Sequence, residues 1–241
     1  ILHITKPFRE PELVALQITG VMGMNIYTEE WHAALPHFKI DQFRWIEGEL
    51  IAGKLIRRWP KGNGWSFVHP ALTILLADQA QEFLQSKQVN LAAAKGIQAG
   101  KRPDNYERIG HHLIKGGLVT QGINALLKGL MLQLGRANQD QTYKTLKELK
   151  FLFNAHEIPE TDSRWGQLWL TELSLAEARH DVDEVNRTNE QLKKALSENH
   201  WPVIASKYSL QMGRKAEKTG ELNTAVECFK SGLMHSSHSP M

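Results

Sequence analysis

The chain has 241 residues, of which 41% are hydrophobic and 23% charged, enough for one or two globular domains. Its net charge of +3 is spread rather than clustered, and residues 1–85 carry 8 Lys/Arg against 9 Asp/Glu, so the balance gives no argument for nucleic acid. One cysteine, Cys228, excludes an internal disulfide framework, and the lack of a secretory signal or of any run of about eighteen apolar residues excludes a membrane helix and points to the cytoplasm.

The first predicted helix runs from Glu10 to about Met22, with Leu13, Leu16, Ile18 and Val21 as its apolar stripe. Met24-Asn25-Ile26-Tyr27 breaks it. Thr28-Glu29-Glu30 reads as the capped, acidic start of a second helix that ends at Pro36. A third starts at Ile40-Asp41 and carries Phe43, Ile46, Leu50, Ile51 and Leu55 on one face. Asn63-Gly64 lies between two apolar runs and predicts a tight hairpin whose second arm is Trp65-Ser66-Phe67-Val68. His69-Pro70 then opens a helix reaching about Gln85, with Pro at a tolerated first position.

Residues 86–104 are polar, small and broken by Gly and Pro, and read as a linker. Helices are expected over 105–116, 118–135, 139–155, 162–180, 182–197, 201–219 and 222–235, with Gly116-Gly117, Pro159, His180-Asp181, Pro202 and Gly220 at the breaks. Short connections imply antiparallel neighbours, and paired helices suggest a stacked solenoid. In the last pair, Gly213, Ala216, Ala225 and Gly232 allow close approach while Phe229 fills the groove, the spacing of a tetratricopeptide repeat.

The front end, three helices, a hairpin and Phe67-Val68-His69-Pro70-Ala71-Leu72 running into a helix, resembles the winged-helix domain of STAND signalling NTPases (NACHT, NB-ARC and MalT-like proteins). The matching stretches are 12–23, 28–35, 40–56 and 65–76. In that family a histidine at the strand-to-helix junction touches the β-phosphate of bound ADP and holds the off state; His69 stands at that place, with Pro70 where the family has Asp. A winged helix followed by tetratricopeptide-like helices is the common order there, the array sensing a ligand or partner. The expected architecture is therefore mainly α, with one small β-hairpin: a winged-helix domain over 1–85, a linker over 86–104 and a TPR-like α-solenoid over 105–241.

His69 is the candidate nucleotide-sensing residue, against the plainer reading that its ring satisfies a local backbone group. Arg57, Arg58 and Lys61 form a basic wing able to touch phosphate, but Glu47 and Glu49 on the third helix would repel DNA, which disfavours nucleic acid. Trp165 and Trp169 share a helix face and, with Trp201, are either core between repeats or a partner-binding patch. His111 and His112 are adjacent and cannot form an i,i+4 metal pair, and His235 and His238 sit in a Ser-rich tail. With no Gly-Lys-Ser/Thr loop and no catalytic constellation, no enzyme, cofactor or metal centre is expected in the chain. It opens on Ile1 and is read as a piece of a longer protein, a STAND parent whose nucleotide-binding domain would hold ADP or ATP. The expected role is a non-catalytic sensor arm with a protein partner, serving prokaryotic antiviral defence or transcriptional control. A stand-alone TPR scaffold and a winged-helix DNA-binding regulator are the alternatives.

Overall fold

A computed structural model of the protein describes residues 10–38, 43–82, 86–136 and 138–237. The chain is mainly helical with one small antiparallel sheet, and divides into two compact units, Ile1–Leu132 and Gln133–Met241.

The first unit begins with α1 (Glu10–Met22), β1 (Asn25–Tyr27), α2 (Thr28–Ala34) and α3 (Phe43–Ala52). The expected start of α3 at Ile40-Asp41 lies outside the described residues. Strands β2 (Ile56–Arg58) and β3 (Gly64–Phe67) follow, then α4 (Pro70–Glu82). The hairpin is not alone. The segment between α1 and α2, too short to carry an alternating pattern, forms a strand, and the sheet order is β1-β3-β2. Ile26 pairs with Trp65, and Arg57 with Ser66.

The turn also differs from the expected Asn63-Gly64. It spans Trp59–Gly62, with Pro60 second, the Gly62 N–H donating to Trp59 O at 2.9 Å, and Gly62 at φ +68°. Gly64 already belongs to β3, where a Cβ would lie 2.4 Å from Ile26 O and 2.5 Å from the Trp59 ring. Bulky rings fill the space beneath the sheet: Trp31 meets Trp65 edge-on at 5.8 Å, and Trp65 meets Phe67 at 5.2 Å.

Residues 86–99, expected within a linker, instead form helix α5 (Ser86–Ala99). Its small residues are packing surface. Val89, Ala92, Ala93 and Ile97 are buried, and a Cβ on Gly96 would lie 2.2 Å from Glu30 O, so α5 rests almost directly on the α2 backbone. Helices α6 (Tyr106–Lys115) and α7 (Val119–Gly135) follow, and the change of unit falls near the end of α7.

The second unit holds α8 (Gln139–Ala155), α9 (Ser163–Ala178), α10 (Val182–Glu198), α11 (Pro202–Lys218) and α12 (Leu222–Ser237). His238 lies outside the described residues. Asn138, Asp162 and Asp181 cap α8, α9 and α10 through side-chain oxygens. Three helical hairpins, α6–α7, α9–α10 and α11–α12, share one loop design. Each middle loop residue has positive φ (Gly117 +87°, His180 +57°, Gly220 +81°). The next N–H closes back over the helix end, from Leu118 to Leu113 O, Asp181 to Ala176 O and Glu221 to Ala216 O. In the last hairpin the Gly213 position faces the Phe229 ring with 2.5 Å left for a Cβ, and Ala216 and Ala225 are buried.

Candidate functional site

His69 sits where β3 hands over to α4. Its Nδ1 accepts the Ala71 N–H at 3.1 Å, so the ring caps the start of α4. That bond uses Nδ1 as an acceptor and leaves the ring hydrogen on Nε2, on an exposed side chain. The local backbone role is thus filled while one N–H remains available.

The hairpin cations do not gather into one patch. Arg57 and Arg58 are strand neighbours and point to opposite faces. Arg58 Nε donates to Glu47 Oε1 at 3.0 Å, so the acid expected to repel DNA instead neutralises one wing cation. Arg57 and the turn residue Lys61 are exposed.

The tryptophans do not form a surface patch, correcting the partner-binding reading. Trp165, Trp169 and Trp201 are 6%, 2% and 8% exposed. Trp165 stacks on Trp169 at 5.7 Å, and the Trp201 ring lies tilted against Trp169 at 6.3 Å. The buried indole N–H groups of Trp165 and Trp201 donate to Ile158 O and Thr161 O. Large rings are needed there to fill the space between long helices, and their polar edges close the α8–α9 loop.

The surface that sequence reasoning missed is a groove between α9, α10 and α11, with a cavity of about 670 Å³. One wall is the exposed stripe Lys207, Arg214 and Lys218 on α11; the other carries Val182 and Val185 from α10. Glu177 of α9 enters the groove, accepting from Gln211 at 2.8 Å with Lys215 Nζ at 3.7 Å. Lys207, Arg214 and Lys218 have no ion-pair partner among the described residues. The i, i+7, i+11 spacing of those cations was the available signal.

In the first unit, polar chemistry concentrates on Glu30, whose side chain has no solvent exposure. It accepts from Asn105 at 2.9 Å and Arg108 at 3.2 Å, with Arg102 3.6 Å away. Arg102 also lies 3.0 Å over the Tyr27 ring and pairs with Glu29 at 2.6 Å. The acid read as a helix-start charge is the anchor joining α2 to α6. Behind it, burial pushes the His112 pKa down to about 3, with Arg108, Lys115 and His111 adding to the effect. Asn90 Nδ2 donates to Ser86 O, which turns Oδ1 toward His112 Nδ1 at 3.0 Å, so that nitrogen carries the hydrogen.

Among the described residues, no group of three or more His, Cys, Asp or Glu is placed to hold a metal ion. No helix there is long and apolar enough to cross a membrane. No protein-family model, curated protein or solved structure matches the chain.

Proposed function

We propose that the chain is the non-catalytic sensor and relay portion of a STAND-type signalling NTPase. A winged-helix front would couple to a nucleotide-binding domain of the same parent chain, and a TPR-like array would bind a protein or ligand. The role would be prokaryotic antiviral defence or transcriptional control in the cytoplasm, with ADP or ATP held by the parent. The observation that carries this reading is the element order α1-β1-α2-α3-β2-β3 with β3 central, which delivers His69 to the start of α4 with a free N–H. The like-built hairpins support the array. His180 and Gly220 stand forty positions apart, longer than the roughly 34 of a standard tetratricopeptide repeat, so the array is TPR-like in its pairing and not in its period.

The test begins with the parent open reading frame upstream of Ile1, where a Gly-x-x-x-x-Gly-Lys-Ser/Thr loop is expected. In that parent, His69→Ala and His69→Asp should both release ADP faster, because Asp can restore the helix cap but offers no N–H. Absence of the loop, or ADP retention unchanged by both variants, overturns the reading and leaves an interaction scaffold, which the α9–α11 groove favours independently.

A further inference from the structure

The geometry points to an acidic, extended peptide segment as the occupant of the groove between α9, α10 and α11. This rests on reading the second unit as a recognition array and adds the chemistry of what it recognises. Three features of the groove select that occupant.

The first is charge. Lys207, Arg214 and Lys218 line one wall without ion-pair partners among the described residues, and the one acid in the groove, Glu177, is engaged by Gln211 and Lys215. Unpaired cations along a concave, partly apolar wall raise the local concentration of an anionic chain.

The second is spacing. Along α11, Arg214 and Lys218 are four residues apart, about 6 Å at 1.5 Å per residue. Alternate residues of an extended peptide lie about 6.6 Å apart on one face. Acids two positions apart therefore meet Arg214 and Lys218, while Lys207, seven residues and about 10.5 Å from Arg214, lies outside that register and adds to the field of the wall.

The third is the opposite wall. Val182 and Val185 face the groove from α10, with Leu210 of α11 across from them, so the alternate face of the same peptide finds apolar partners. A polyphosphate chain has nothing to place there. Among the described residues no Phe, Tyr or Trp lines the groove, so a base would have only His180 and Arg214 to stack on.

The experiment is fluorescence anisotropy on the intact chain, with a short fluorescein-labelled peptide of alternating glutamate and leucine as probe. Comparators are alternating glutamine–leucine and lysine–leucine peptides and an oligothymidylate. The glutamate–leucine probe should bind, weaken as salt screens the charges, and lose at least about tenfold in affinity in the Lys207→Glu/Arg214→Glu/Lys218→Glu variant. Leu210→Asp should weaken it as well. These side chains are exposed, so the melting temperature should hold, and Arg214→Glu alone is the milder variant if the triple change lowers it. Binding unaffected by both charge reversals overturns the proposal, as does displacement of the probe by oligothymidylate. Equal binding of the glutamine or lysine peptide removes the acidic assignment and leaves the recognition array standing. No binding by a peptide of any charge removes both.

Discussion

Arg108 Nη1 lies 3.2 Å from one oxygen of the Glu30 carboxylate, 78 residues earlier in the chain. The partners are not equivalent. Glu30 is sealed from solvent, whereas the Arg108 side chain is 32% exposed. Arg108→Met leaves the buried carboxylate with Asn105 and the more distant Arg102, and should cost about 2–3 kcal/mol. Glu30→Gln keeps an acceptor for Asn105 and leaves an arginine that reaches water, and should cost only about 1–2 kcal/mol. Combining the two should recover part of the Arg108→Met loss. Urea unfolding followed by tryptophan fluorescence orders the three, and a larger loss for Glu30→Gln would contradict the asymmetry.

His112 predicts an acid sensitivity of known sign. In the unfolded chain the ring takes its proton near 6.5, and in the folded state only near 3. Between those values the unfolded chain binds more protons, so stability is full above about pH 6.5 and falls as pH drops toward 3. The slope is roughly 1.4 kcal/mol per pH unit for one proton. Carboxylates add their own dependence, so the readout is the difference between wild type and His112→Phe. The variant should lose stability overall, by disrupting the Asn90 contact, but show a shallower fall between pH 6 and about 4.

Two glycines should respond in opposite directions to alanine. At Gly64 a Cβ would strike the Ile26 carbonyl, which the sheet holds in place, so Gly64→Ala should cost about 2 kcal/mol or more. Gly48 lies exposed within α3 with nothing within 4 Å of its Cβ position. Gly48→Ala should stabilise by about 0.5–1 kcal/mol. Melting temperatures of the two variants, each against wild type, decide the matter.

His180 occupies a left-handed position that the matching loops give to Gly117 and Gly220. Replacing it by glycine relieves backbone strain, offset in part by a freer unfolded chain, for a net gain of roughly 0.5–1 kcal/mol. A drop in melting temperature would mean that the imidazole makes a contact worth more than the strain.

Much of the helical layout was legible because it is written in punctuation. The helix expected from Glu10 to about Met22 is present, and the breaks at Gly116-Gly117, His180-Asp181 and Gly220 are the hairpin loops. What escaped was set by partners distant in sequence. Asn25–Tyr27 has too few residues to show a strand period and becomes one only beside β3. Helix α5 looked like a linker because Ala and Gly carry little hydropathy, yet their small size is what lets it settle on α2. Arg57, Arg58 and Lys61 were found as cations, but the Arg58–Glu47 pair depends on how α3 meets β2. The α11 stripe was visible in principle, and only the neighbouring α10 valines make it a groove.

The Glu30 anchor also sets an order on biosynthesis. As the chain emerges from the ribosome, the sheet and the Trp31–Trp65 ring pair are complete long before Asn105 and Arg108 appear. Until then a carboxylate is waiting without counter-charge, and the surface that α5 covers is bare. The nascent front of the protein should stay loosely folded, open to chaperones and proteases, until α6 is clear of the exit tunnel and Arg108 can reach Glu30.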